Sequence, residues 1–218
     1  MRFPNAAKGM KKVFAAEILS LIAAIALGST LIMSIVFLNF EQTGNETAMG
    51  ISGIGLLVFM AGAAVLTILA LIFKLIGVVQ TSKDEPSFKI VIWLIVFGLI
   101  ASVIGACFSS NTFVYNLTNA ISNVLNFISL LFIILGIGSF AAQLGNSDVV
   151  LRCGSQFRLI LWIGIVSLIA RFFCIFMPSL VASSIVLAFA VLALVLNIIQ
   201  YILYLVLLAK AKNMLAEA

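Results

Sequence analysis

Residues 90–108 read IVIWLIVFGLIASVIGACF, a run without a single charged residue, proline or amide side chain. An α-helix rises about 1.5 Å per residue, so this segment would be about 28 Å long, close to the roughly 30 Å thickness of a bilayer's hydrocarbon core. A helix on the surface of a soluble protein needs one polar face, and this segment has none. The segment therefore predicts a membrane-spanning helix.

Five further apolar segments of similar or greater length occupy the rest of the chain, at about 13–38, 51–79, 118–143, 158–177 and 181–209. Short polar or turn-forming stretches separate them. The shortest break lies at Pro178, but one helix kinked there would be far longer than a single crossing needs. We therefore expect an all-α, polytopic integral membrane bundle of six helices. It forms a single membrane domain over residues 1–218, with no soluble domain.

The composition excludes several classes of protein. The chain is 64% hydrophobic and 9% charged, whereas a soluble domain is roughly 45–50% apolar and about 25% charged. A soluble enzyme, a disordered protein and a nucleic-acid-binding protein are excluded on this ground, despite the net charge of +5. The sequence has no His, and its three Cys are scattered, so imidazole catalysis and the usual metal sites are excluded as well. We expect no cofactor, no metal and no enzymatic activity.

The positions of the Lys and Arg residues predict the orientation. If all six segments cross, eleven of the twelve cations lie on one side, and the opposite loops contain only Glu41 and Glu46. Positively charged loops stay in the cytoplasm, so both termini are predicted to be cytoplasmic in a plasma membrane or a bacterial inner membrane. The acids near these loops, Asp84, Glu85, Asp148 and Glu217, are expected to be solvated. The eleven cations are Arg2, Lys8, Lys11, Lys12, Lys74, Lys83, Lys89, Arg152, Arg158, Lys210 and Lys212.

The first apolar segment runs to Phe40, which is too long for a signal peptide, so we expect an uncleaved helix. A short pattern, Ser/Gly-Leu-Ile-Ala, recurs at residues 20–23, 98–101 and 167–170, each Leu ten residues after a cation. Two interpretations stay open. The pattern marks three helical hairpins repeated in parallel, or it arises by chance because the apolar segments are built from few residue types.

Charged residues within apolar segments are costly and need an explanation. Glu17 and Lys74 both lie about one turn inside the cytoplasmic ends of neighbouring segments, which predicts an ion pair; the alternative is that each side chain extends separately to the interface. Arg171 lies in the outer half of the fifth segment. It either extends outward to the interface or binds an acidic loop residue or an anionic ligand.

Amide side chains mark two helix faces. Asn119 and Asn126 follow helical spacing in the fourth segment together with Ser122, Asn123 and Ser129, and Asn197 and Gln200 do so in the sixth. Such residues avoid lipid because amides in hydrocarbon need partners. They either bond neighbouring helices together or line a polar cavity, and the cavity interpretation makes Asn119, Asn126, Asn197, Gln200 and Arg171 the candidate binding residues.

Small residues and cysteines complete the candidates. Ser20, Ala24 and Gly28 recur every four residues, as do small residues in the third and fourth segments, which favours close helix packing within the chain or with a partner or second copy. Cys107 and Cys174 lie near the outer ends of two segments; they form a disulfide or serve as small apolar residues.

Two functions are compatible with these features. The first is a small transport or substrate-binding membrane component for a neutral or apolar solute, since the apolar segments hold too few charges for strong ion coupling. The second is a non-transporting assembly, immunity or regulatory protein that acts through helix–helix contacts. Beyond the lipid bilayer, the expected partners are a membrane protein or a second copy, and no nucleic acid. A polar cavity open to one side favours the first function, and a dry, fully packed interior favours the second.

Overall fold

The computed structural model describes residues 2–43, 46–176 and 184–218, with their side chains except at 31, 36, 39–43, 46–52, 167–176 and 184–194. In these ranges the chain forms six α-helices and no strand, and it is 91% helical. This confirms the prediction of an all-helical chain with six helices. The helices are α1 (Pro4–Thr43), α2 (Glu46–Thr81), α3 (Ser87–Cys107), α4 (Thr112–Gln143), α5 (Ser147–Phe176) and α6 (Ser184–Glu217).

Each of the six described helices contains a stretch long and apolar enough to cross a membrane. Three helices also extend well beyond the apolar segments that predicted them. The first begins at Pro4 and not near residue 13, α5 begins at Ser147 and not near residue 158, and α6 continues to Glu217 and does not end near residue 209. Hydropathy predicts only the part of a helix that suits lipid. The helix itself continues wherever tertiary packing stabilises additional turns.

The described chain divides into two compact units. The large unit comprises residues 1–10 and 78–218, and the hairpin unit comprises residues 11–77.

In the large unit, consecutive helices pack as antiparallel neighbours. Between α3 and α4, the hydroxyl oxygens of Ser102 and Ser122 lie 2.9 Å apart and share a hydrogen bond. Thr118 packs directly against Gly105 on the same seam. A Cβ added to Gly105 would collide with the Thr118 side chain. Small residues therefore set the approach of these two helices, as expected for close packing without large apolar side chains.

Two contacts define the register of α4 against α5. The Phe127 ring packs directly over Gly164, and Cys153 Cβ lies 3.5 Å from the position of a Cβ on Gly138. Both contacts place Asn126 of α4 level with about residue 165 of α5.

Two further contacts define the register of α5 against α6. Gln156 Nε2 donates to the Leu203 carbonyl at 2.6 Å, and Lys210 Nζ donates to Asp148 Oδ2 at 2.9 Å. These pairs place Asn197 of α6 level with about residue 162 of α5. The fourth and sixth helices also touch each other.

Both termini, the α2–α3 loop and the α4–α5 loop meet at one end of the large unit, which we call the termini end. The Arg2 backbone N–H donates to the Ala218 carbonyl at 3.1 Å, and the Arg2 guanidinium donates to the Gln143 carbonyl, also at 3.1 Å. Large side chains that are fully buried concentrate near this end. They include Met10, Phe88, Ile137, Phe140, Leu207, Leu208 and Leu215. The core of the large unit thus lies mainly near the termini end.

Candidate functional site

One face of α4 changes character along its length. Asn119, Asn126, Ile133 and Phe140 follow one another at intervals of seven residues, which is close to two helical turns, so they share a face. Ile133 and Phe140 are completely buried, whereas Asn126 is exposed and Asn119 is half-buried. The same face is therefore packed and apolar near the termini end; in the other half it is polar, and Asn126 is exposed there beside the buried residues Ser122 and Ser129.

The sixth helix changes in the same way. Asn197, Tyr204 and Ala211 share one face at seven-residue spacing. Tyr204 and Ala211 are buried, while Asn197 is exposed. Gln200 is half-buried and precedes Leu207, which is buried, by the same interval. On both helices, the face that is packed near the termini end carries amide side chains farther along the helix.

The opposite faces of these helices carry apolar residues that are also exposed. On α4 these are Leu117, Ile121 and Leu135; on α6 they are Ile198, Ile202 and Val206. The exposed amides therefore do not lie on the uniformly apolar faces. They lie on the faces that form the core near the termini end.

The two amide sites lie at similar depth. Asn126 is level with about residue 165 of α5 and Asn197 with about residue 162, a difference of about 4.5 Å along the helix axis. The helices α4 and α6 touch each other, and Asn126 Oδ1 lies 3.9 Å from the position of a Cβ on Gly98 of α3. We give the name amide cleft to the candidate site on α4 and α6. The amide cleft comprises Asn119, Asn126, Asn197 and Gln200.

Other polar residues of α4 form hydrogen bonds either to α3 or within α4 itself. Ser122 is buried and shares its hydrogen bond with Ser102, and Asn123 Nδ2 donates to the Asn119 carbonyl at 2.7 Å. The Ser102–Ser122 bond joins two helices, and such an interhelical bond is worth roughly 0.6–2 kcal/mol; the Asn123 bond lies within α4. Ser122 thus bonds two helices together, while Asn126, one turn later, is exposed.

The hairpin unit contains the predicted partners Glu17 and Lys74. Lys74 Nζ lies 2.8 Å from Glu17 Oε1, and the Glu17 side chain is only 7% exposed while that of Lys74 is 29% exposed. The two charges thus form an ion pair at one depth of the α1–α2 hairpin, with the carboxylate inside and the ammonium group nearer the surface.

Two candidates fall on residues that the structure does not describe in full. The side chains of Arg171 and Cys174 lie outside the described part, so the ligand role of Arg171 stays a prediction. The Cys107 side chain is exposed. A disulfide between Cys107 and Cys174 also stays a prediction.

The expectation that all four acids are solvated is wrong for Glu85, which is buried. Its carboxylate accepts hydrogen bonds from Ser87 Oγ and Ser139 Oγ, both at 2.9 Å. These two hydroxyls compensate the loss of water around the charge. A sequence pattern could not reveal this site because Ser139 is brought to Glu85 by the packing of α4.

Asp84, the neighbouring acid, caps the first helix from another element. Its carboxylate accepts the Ala6 backbone N–H at 2.7 Å and Asn5 Nδ2 at 3.0 Å. A carboxylate at a helix N-terminus satisfies free N–H groups and interacts favourably with the helix dipole. Asp84 thereby fixes the start of α1 to the α2–α3 loop.

In the described ranges, no group of three or more Cys, Asp or Glu side chains is placed to hold a metal ion. In comparisons with known proteins, no protein-family model, no curated protein and no solved structure matches the chain.

Proposed function

We propose that the protein is an integral protein of the cell membrane that crosses it six times, with both termini in the cytoplasm. The apolar helices and the many exposed large apolar side chains on them support this placement. The distribution of Lys and Arg supports the orientation, because positively charged loops are retained in the cytoplasm. The termini end is then the cytoplasmic end.

A C-terminal reporter enzyme that is active only outside the cytoplasm tests this topology. The fusion is expected to be inactive, and an active fusion would contradict the orientation. A cytoplasmic reporter at the same position is the matched control and is expected to be active.

The three hairpins α1–α2, α3–α4 and α5–α6 are proposed to be parallel repeats. Trp93 on α3 and Trp162 on α5 occupy the same position after a cation, and their side chains are similarly exposed, at 62% and 68%. Both suit the interface on the cytoplasmic side, where Trp residues are enriched.

The proposed activity is the binding of a neutral or weakly polar solute in the amide cleft, as a substrate-binding or transport component. The observation that carries it is the change along one face of α4, from fully buried Ile133 and Phe140 to exposed Asn126. A carboxamide both donates and accepts hydrogen bonds and carries no net charge, so it suits a neutral ligand. The apolar packing near the termini end closes the cleft on the cytoplasmic side.

Cysteine accessibility tests whether the amide cleft holds water. In a chain whose native cysteines are replaced by Ala, Asn126→Cys and Asn197→Cys are expected to react with a membrane-impermeant maleimide from outside. Ile121→Cys is the matched control, since it lies on the opposite face of α4 and would face lipid. Reaction of Asn126→Cys no faster than Ile121→Cys would refute the cleft.

A second candidate function rests on the hairpin unit. Gly28 is exposed, and a Cβ added to it would meet no atom within 4 Å; Ala24, one turn earlier, is exposed too. Such a small-residue face is suited to close contact with another helix. If the protein acts by this contact with a membrane partner or a second copy, Gly28→Leu should abolish co-purification of differently tagged copies or of the partner, while Ile25→Leu should not. Unchanged association in Gly28→Leu would exclude this face.

A further inference from the structure

A groove runs along the outer surface of the α4–α5 seam, near the termini end. It has a volume of about 300 Å³ and is lined by Ile134, Leu135, Gly138, Val150, Cys153, Gly154 and Phe157. The lining is apolar, and Leu135 and Val150 are both exposed. Leu135, nine residues after Asn126, lies on the opposite side of α4, and the groove is nearer the termini end than Asn126, so it is separate from the amide cleft.

A cationic side chain lies at the edge of this groove. Arg158 follows Gly154 by one helical turn, and its Nε donates to the Gly154 carbonyl at 3.4 Å. Side chains on a helix lean toward its N-terminus, which brings the guanidinium back along the groove. Arg158 is exposed, and among the described residues no carboxylate lies within ion-pair distance of it.

The second arginine of this segment differs in its surroundings. Arg152 Nε lies 3.1 Å from Asp148 Oδ1, and Asp148 also binds Lys210. Its charge is thus compensated within the protein. Arg158 retains an uncompensated positive charge beside an apolar groove, at the predicted level of the cytoplasmic headgroups.

We propose that this groove binds an anionic phospholipid of the cytoplasmic leaflet. The phosphate binds the Arg158 guanidinium, and one acyl chain lies in the groove over Gly154 and Phe157. Charge complementarity selects the lipid, because basic sites between membrane helices on this side attract anionic headgroups, and guanidinium groups match phosphate geometry. The inference rests on the membrane placement proposed above, but not on solute binding in the amide cleft.

The two tryptophans provide the test. Trp162 lies one turn beyond Arg158 on α5, and Trp93 lies one turn beyond Lys89 on α3. The single-Trp variants Trp93→Phe and Trp162→Phe therefore compare the groove with a cation and Trp at the same spacing on another helix. Each variant is reconstituted into phosphatidylcholine vesicles that contain a brominated lipid, either phosphatidylglycerol or phosphatidylcholine, and the quenching of Trp fluorescence is measured.

Trp162 is expected to show about a fivefold preference for brominated phosphatidylglycerol over brominated phosphatidylcholine, which corresponds to about 1 kcal/mol for one cation. Arg158→Gln should abolish the preference, and Arg152→Gln should leave it unchanged. Gly154→Leu should also reduce it, since the added side chain fills the groove without altering charge; a Cβ at Gly154 meets no atom within 4 Å.

Three outcomes would overturn the proposal. Equal preferences at Trp162 and Trp93 would mean general attraction of anionic lipid to a basic surface. An unchanged preference in Arg158→Gln would exclude the guanidinium as the ligand. No quenching of either tryptophan by either brominated lipid would refute the membrane placement itself, and the lipid site with it.

Discussion

Replacing Lys74 of the Glu17–Lys74 pair by an apolar residue should lower the free energy of unfolding more than replacing Glu17. The Glu17 side chain is 7% exposed and that of Lys74 is 29% exposed. In Lys74→Met, a carboxylate stays almost fully buried without the ammonium group 2.8 Å away. Breaking a buried pair in this way costs about 3–5 kcal/mol. We take the lower end, about 3 kcal/mol, because Lys74 is partly exposed.

In Glu17→Met, the Lys74 ammonium group is left without its carboxylate partner. The Lys74 ammonium group is nearer the surface, and its flexible stem allows it to reach water or lipid headgroups. The expected loss of unfolding free energy is then only about 1 kcal/mol, as for a partly exposed pair. The two single variants should therefore differ by about 2 kcal/mol.

The double variant Glu17→Met/Lys74→Met separates an ion pair from two independent charges. Replacing both partners of a buried pair by apolar residues is often close to neutral, so the double variant should be more stable than Lys74→Met alone. The assay is reversible unfolding of the purified protein in mixed micelles by increasing denaturing detergent. Lys11→Gln, at an exposed lysine, is the control and should change stability by less than about 0.5 kcal/mol.

The reasoning would be refuted if the loss in the double variant equalled the sum of the two single losses. Additivity is the behaviour of sites that do not interact. It would mean that each side chain extends separately to the interface. A larger loss for Glu17→Met than for Lys74→Met would refute the assignment of the carboxylate as the buried partner.

Two further predictions concern helix packing and capping. Gly164→Ala should destabilise the protein by about 1–3 kcal/mol because the Phe127 ring occupies the space of the added methyl group. Gly154→Ala, where that space is open, should be neutral or slightly stabilising in the same detergent-unfolding assay; equal losses in both variants would contradict the tight α4–α5 seam. Asp84→Ala should cost about 1 kcal/mol and speed amide hydrogen exchange at Ala6, whose N–H the carboxylate accepts. Unchanged exchange at Ala6 would argue against this cap.

The number of helices and the partners of the ion pair could be predicted from the sequence because both depend only on positions along the chain. A span is recognised by the length of its apolar run, and Glu17 and Lys74 both stand about one turn from the ends of neighbouring runs. The ends of the helices were less accessible. The first turns of α5, from Ser147, are too polar for a membrane segment, and they are helical because residues such as Val149 and Cys153 are buried.

The surroundings of the acidic residues Asp84 and Glu85 could not be predicted from the sequence. Asp84 and Glu85 stand next to each other in a polar loop, and the sequence assigns both to solvent. The structure uses Asp84 to cap α1 and buries Glu85 against Ser139, because the end of α4 packs over this loop. Contacts between residues so far apart in the chain leave no local pattern.

The sequence by itself determined that the chain is helical, that its helices suit a bilayer, and that Asn119, Ser122, Asn126 and Ser129 share a face of one helix. Periodicity fixes which residues share a face, since each residue turns the helix by the same angle. The tertiary structure alone decided which residues of this face are covered: Ile133 and Phe140 near the termini end, and Ser122 beside the exposed Asn126. Burial depends on which neighbouring helices cover each turn, and hydropathy cannot supply that information because an apolar helix face packs equally well against protein or lipid.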